Sequence, residues 1–306
     1  MMRVLVVGAG AVGGYFGGRL AEKGEDVTFL VRENRKKQLE QNGLVLESIH
    51  GNTKLSPQIL LSGKRTESFD VVLVSTKAYH LEAAINDMRP YVGRDTMILP
   101  LLNGMSHIEK LIESFGEKNV LGGLCFVEST LDHNGTIIQT SPIHDLVYGE
   151  RNGERTERIN RLEQVFQGTK ANFQLSAQIN QDMWVKYLFI ASLSGITSLF
   201  RSPIGPIREK EEGLRSIEKV LQETAAIMKS THAPLPDNIE EMQLEKLKGM
   251  AYQMKSSLQR DMEKNLSIEA DHLYGYLLNI ASKKNVDAPL LKVINANLKI
   301  YETLNL

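Results

Sequence analysis

A chain of 306 residues, 42% hydrophobic and 24% charged with a net charge of −1, has room for two globular domains. That balance excludes a disordered chain and lacks the basic surplus of a nucleic-acid binder. The single cysteine, Cys125, excludes an intrachain disulfide and a cysteine zinc site, and the seven histidines have no metal-type spacing. The apolar start at 4–7 is too short for a signal segment or a membrane span. A soluble, cytoplasmic protein with no membrane or nucleic-acid partner is therefore expected.

The stretch Arg3–Val7 reads as a buried strand and runs straight into Gly8-Ala9-Gly10-Ala11-Val12-Gly13, with an amphipathic helix over 12–23. In such a Gly-x-Gly-x-x-Gly turn the first glycine allows the tight bend and the second lets a pyrophosphate approach the backbone. The third permits close helix–strand packing, and the helix N-terminus offers unpaired N–H groups. A glycine-rich turn of another α/β protein would look similar, but the position between strand and helix favours a dinucleotide. A second strand over 26–31 completes a β-α-β unit and ends in Val31-Arg32. A carboxylate there would accept from a ribose 2′-hydroxyl, whereas a guanidinium pairs with a 2′-phosphate, so NADP(H) is favoured. Glu33 weakens that argument, and Arg35, Lys36 and Lys37 also fit an ordinary exposed helix start.

Residues 43–48 and 55–61 read as a strand pair outside the main sheet, which resumes at 70–75 and ends in Ser75-Thr76-Lys77. Lys77 taken alone is an ordinary loop lysine at the carboxyl edge of the sheet. The strand at 97–102 leads into Asn103-Gly104, a common turn dipeptide whose position brings Asn103 near any bound nicotinamide. Strands at 120–128, 135–140 and 145–148, with turns at 133–135 and 141–142, read as antiparallel hairpins closing the parallel sheet. A helix over 154–167 and a strand at 171–173 end a first domain of residues 1–175. Residues 176–306 are helical, with helices expected at 180–199, 207–230, 237–248, 267–284 and 289–303. The expected architecture is a Rossmann-type doubly wound α/β cofactor domain followed by an all-α substrate domain, with catalysis expected in the cleft between them.

In the helical half, Lys186 is the only charged residue between Met183 and Phe200. Such a lysine either snorkels to solvent or is buried and poised as a proton donor. Glu269 follows Ser267, which reads as the helix N-cap, so its carboxylate also suits the helix dipole. Ser257 and Arg260 could face an anion or simply be cap and solvated residues.

Together and in this order, Gly8 to Gly13, Arg32, Thr76-Lys77-Ala78, Asn103-Gly104-Met105, Trp184-Val185-Lys186, Ser256 to Asp261 and Glu269-Ala270-Asp271 resemble the ketopantoate reductase family. The resemblance spans nearly the whole chain and also matches the spacing from Ser257 to Glu269. It implies an NADPH-dependent reductase, with Arg32 and Lys77 at the adenosine 2′-phosphate and Asn103 at the nicotinamide end. Lys186 would give a proton to the C2 carbonyl oxygen, Glu269 would orient lysine and substrate, and Ser257 would hold the carboxylate. Domain closure would exclude water. The family often places asparagines four and eight residues after the lysine, where this chain has Ile190 and Ser194.

Three readings follow. The first is reduction of 2-dehydropantoate to (R)-pantoate, toward pantothenate and coenzyme A. The second keeps the mechanism with a more apolar 2-oxo acid, and the third is a non-catalytic NADP(H)-binding sensor or scaffold. Helical substrate domains of this size support either a monomer or a homodimer.

Overall fold

The computed structural model describes residues 1–64 and 66–304. These fall into two compact units, Met1–Leu102 with His107–Asn180, and Asn103–Ser106 with Gln181–Leu306.

In chain order the first unit contains β1 (Arg3–Val7), α1 (Ala11–Lys23), β2 (Asp26–Val31), α2 (Glu33–Asn42), β3 (Leu44–Ser48), β4 (Thr53–Leu55) and β5 (Gln58–Leu61). It continues with β6 (Phe69–Val74), α3 (Leu81–Met88), β7 (Val92–Pro100), α4 (Ser106–Phe115), β8 (Gly122–Leu131), β9 (Ile137–Gly149), α5 (Glu157–Phe166) and β10 (Asn172–Leu175). Five parallel strands lie in the order β5-β2-β1-β6-β7, so the chain reverses its winding between β1 and β6. Val4 to Val7 and Val71 to Val74 are buried throughout, as strands covered on both faces must be. At such a reversal the connections leave in opposite directions and open a crevice at the carboxyl ends of the strands.

A second sheet has the order β10-β9-β3-β4, with β8 also paired to β9. Helix α1 is held by both sheets. A Cβ on Gly17 would stand 2.7 Å from Val6 Cγ2, and one on Gly18 would stand 2.9 Å from Leu46 Cδ1. Side chains there would force the layers apart, so the glycine-rich stretch past the turn serves packing.

Three expectations about the strands and turns differ from the structure. The span 55–61 is two strands broken at Ser56-Pro57: β4 pairs antiparallel with β3, while β5 joins the main sheet beside β2. Pro57 lacks the N–H needed to carry one ladder through. The hairpin strands build a second sheet, and the span expected from Val120 meets the parallel one at a parallel bridge between Val120 and Ile98 of β7. Ser141-Pro142 is no turn, since β9 runs through it with a register shift opposite Val127 and Ser129. There the Glu128 N–H is satisfied by Ser141 Oγ at 3.0 Å.

The helical unit holds α6 (Ile179–Phe200), α7 (Ile204–Arg208), α8 (Glu211–Lys229), α9 (Ile239–Lys248), α10 (Ser257–Glu263), α11 (Tyr276–Lys284) and α12 (Pro289–Leu304). The helix expected over 207–230 is split, because Lys210 is extended at φ −96° and ψ 136°. The helix expected from Ser267 starts later, with a π-helical turn over Asp271–Gly275 ahead of α11. Ser267 is therefore not its cap; the Glu269 carbonyl takes the early helical bond, from Leu273 N–H at 3.1 Å. Helix α6 is long and apolar enough to cross a membrane, but 72% of that apolar window is buried inside the protein, as in a core helix. Residues 103–106, assigned by sequence to the first domain, cluster with the helices.

Candidate active site

Gly8 follows β1 with φ +96°, and a Cβ there would stand 3.0 Å from the Ser75 carbonyl carbon and 3.1 Å from Thr76 N. The Ser75 hydroxyl donates to the Gly8 carbonyl at 2.9 Å and to the Val7 carbonyl at 3.2 Å, fastening the ends of β1 and β6. A Cβ on Gly13 would strike Ser75 Oγ and the Gly8 carbonyl, so only glycine lets α1 start this close to the turn. Gly10 caps α1 with no side-chain bond, and a Cβ on it would meet nothing within 4 Å. Ala11, Val12 and Gly13 form the first turn of α1, where N–H groups have no helical acceptor.

A groove of about 400 Å3 runs beside this turn, with Gly8, Ala9, Gly10, Arg32, Arg35 and Asp87 among its lining. Arg32 caps α2 with its side chain 63% exposed and Nη2 3.9 Å from Asp87 Oδ2. Lys77 is half-buried at the start of the short helical turn Ala78–His80, next to Thr76 of the groove wall. Thr76 Oγ1 is buried without a protein partner. Arg35 is a residue the sequence reading left among ordinary basic positions. Its Nε donates to the Ala9 carbonyl at 2.9 Å and its Nη1 to the Gly135 carbonyl at 3.0 Å, so it holds the glycine turn from the side of α2. Burial lowers its pKa, yet a guanidinium stays charged. Nothing local distinguishes Arg35 from its basic neighbours, because both carbonyls lie far along the chain.

The remaining sequence candidates belong to the helical unit. Lys186 lies on α6 and is 5% exposed; Ile190 and Ser194 follow at one-turn intervals on the same face. Between 186 and 198, Ile190 is the one position that is not fully buried. The Tyr187 hydroxyl donates to the Leu273 carbonyl, and the Tyr274 hydroxyl donates to the Ala191 carbonyl at 2.7 Å. Burial raises the pKa of both tyrosines, so they remain phenol donors. These two bonds clasp the π-turn, which begins two residues beyond the half-buried Glu269, to the part of α6 that flanks Lys186 and Ile190. Thr197 Oγ1 is 3.0 Å from Ser256 Oγ, which fastens the start of α10 to α6 as well. Ser256 is the cap of α10, accepting from Gln259 N–H at 3.1 Å, while Ser257 is exposed in its first turn. Asn103 is joined through its carbonyl to the ring of His272. The cofactor candidates other than Asn103 thus lie in the first unit, while Asn103, Lys186, Ser194, Ser257 and Glu269 lie in the second. Among the described residues no group of three His, Cys, Asp or Glu side chains could hold a metal ion.

The family model for ketopantoate reductase PanE/ApbA matches residues 4–153, and that for its C-terminal part matches 178–302. The chain belongs to the ketopantoate reductase family. An uncharacterized oxidoreductase of Bacillus subtilis (strain 168), YkpB, is 46% identical over 301 residues, 98% of this chain and 99% of that one. The crystal structure of 2-dehydropantoate 2-reductase from Geobacter metallireducens GS-15 matches with a TM-score of 0.87 and 24% identity, covering 97% of this chain and 99% of that one. The ternary structure of a D-mandelate dehydrogenase with NADH and anilino(oxo)acetate matches with a TM-score of 0.88 and 19% identity, covering 99% of each chain. These structures share the fold: a Rossmann-type doubly wound domain and an all-helical one. The protein is an oxidoreductase of ketopantoate-reductase type, a family whose members bind nicotinamide cofactors. The residues present fit such a group. The glycine turn has no Cβ in the way, an α-helix starts at it, and the orphaned Thr76 hydroxyl lies on the groove wall.

Proposed function

We propose that the protein reduces 2-dehydropantoate to (R)-pantoate with NADPH, a step toward pantothenate and coenzyme A. The observation that carries this reading is Lys186, a lysine 5% exposed on an apolar helix that is clasped to the segments of Glu269 and Ser257. Gly8 to Gly13 would hold the pyrophosphate, Arg32 and Lys77 the 2′-phosphate, and Asn103 the nicotinamide end. The bound cofactor supplies a hydride. Lys186 gives a proton from Nζ to the carbonyl oxygen at C2, and its charge stabilises the developing alkoxide. Glu269 orients that ammonium, while Ser257 and Ser194 hold the carboxylate and hydroxyl of the substrate.

Ile190 favours a second reading, a more apolar 2-oxo acid. It is the one incompletely buried position on this stretch of α6, and its side chain offers a substrate no hydrogen bond. The ligand of the D-mandelate dehydrogenase structure, anilino(oxo)acetate, is an oxo acid that carries an apolar ring. A substrate panel run with NADPH and NADH side by side separates the readings. Fast NADPH oxidation on 2-dehydropantoate supports the first, and turnover confined to other 2-oxo acids replaces it with the second. Tight NADPH binding with no turnover on any of them would instead mark a sensor or scaffold.

A further inference from the structure

We propose that Asp87 opposes Arg32 in selecting the cofactor, so that one pocket serves both a ribose 2′-phosphate and a ribose 2′-hydroxyl. The inference rests on the dinucleotide reading of the glycine-turn groove. Arg32 and Asp87 line that groove together, one from the end of β2 and the other from the last turn of α3. Asp87 Oδ2 lies 3.9 Å from Arg32 Nη2, and Oδ1 accepts from the Ser62 hydroxyl at 2.6 Å. Ser62 lines the groove as well, so the carboxylate is held at the wall rather than pointing away from it. Arg32 is the freer partner, its side chain 63% exposed against 32% for Asp87.

The two groups ask for different ligands. A guanidinium takes a phosphate through two parallel hydrogen bonds, and Lys77, the neighbour of Thr76 on the groove wall, adds a further positive charge. For that, Arg32 must leave Asp87, and the incoming phosphate must tolerate a fixed carboxylate beside its own binding partner. A ribose hydroxyl is a donor and needs an acceptor. In many dinucleotide folds that acceptor is an acid after the second strand, a place taken here by Arg32. Asp87 supplies a carboxylate to the same groove from α3. Glu33 also carries negative charge beside Arg32, but it is not part of the groove lining.

The test is equilibrium binding of NADPH and NADH to the purified protein, in wild type and Asp87→Asn, at low salt and at about 0.5 M salt. The asparagine keeps the shape and can still accept from Ser62. It should bind NADPH about two- to fivefold more tightly and NADH no more tightly, with the difference shrinking at high salt as an exposed ionic effect does. Ser62→Ala, which releases the carboxylate toward Arg32, should move the NADPH-to-NADH ratio the other way. A ratio unchanged in Asp87→Asn, or changed equally at both salt concentrations, overturns the proposal while leaving the dinucleotide reading intact. A wild-type protein that binds neither cofactor overturns the dinucleotide reading and this proposal with it.

Discussion

His272 Nδ1 lies 2.7 Å from the Ser106 hydroxyl, while Nε2 meets the Asn103 carbonyl. A carbonyl only accepts, so Nε2 carries the proton, and in the neutral ring Nδ1 accepts from Ser106. One imidazole thus couples the Asn103 segment to the π-turn that follows Glu269. Gly104, at φ +83°, leaves the room: a Cβ there would stand 3.0 Å from Nε2. His272→Ala should lower kcat/KM by about 10- to 100-fold, as loss of positioning does, with NADPH affinity nearly unchanged. Steady-state kinetics beside a cofactor titration check this, and an unaltered kcat/KM would free Asn103 from dependence on the ring.

Lys186→Ala should lower kcat at least about a hundredfold, the usual range for a positioned general acid, while NADPH still binds. Circular dichroism and a binding titration must accompany the rates, because the lysine is buried on a core helix. Unchanged kcat would remove Lys186 from the chemistry.

Arg32→Asp should raise KM for NADPH far more than for NADH, since an aspartate repels a 2′-phosphate but accepts from a 2′-hydroxyl. Equal changes for the two cofactors would mean that Arg32 does not read the phosphate.

Gly10→Ala and Gly13→Ala should part company. A methyl on Gly13 collides with the Gly8 carbonyl and Ser75, so thermal unfolding should register a loss of about 1–3 kcal/mol. A methyl on Gly10 meets no protein atom within 4 Å, so Tm should hold while NADPH affinity falls. A fall in Tm for Gly10→Ala with affinity preserved would contradict the assignment of that open face to the dinucleotide.

His144 should make stability depend on mildly acidic pH. Its ring stacks on His50 with centroids 3.6 Å apart and lies 2.7 Å from the Tyr15 hydroxyl. Burial, with His50 and Arg19 nearby, lowers its pKa below the ordinary value, against the opposing pull of Asp145. The folded protein therefore holds fewer protons than the unfolded chain between the folded pKa and about 6.5. The contribution is full above that range and is lost as the pH falls through it. Melting curves between about pH 7 and 5 should show the fall, and His144→Gln should flatten it.

Local pattern alone identified β1, the glycine turn and α1, because apolar runs, tight bends and unpaired helix N–H groups are properties of neighbouring residues. The same holds for α6, where a lone lysine in an apolar helix was visible as Lys186. The second sheet was not legible, because whether β8 and β9 extend the parallel sheet or form another depends on what covers α1. Ser256 and Ser257 are equally good caps on paper, and Thr197, 59 residues away, holds the buried one. The π-turn before α11 and the ring of His272 were hidden for the same reason, since their partners on α6 and at Asn103–Ser106 lie far along the chain. Arg35 and Asp87 are ordinary charged residues until folding carries α2 and α3 to the groove beside Gly8. Short-range sterics and periodicity are written residue by residue, whereas a hydrogen bond across a fold exists only once the backbone has closed the distance.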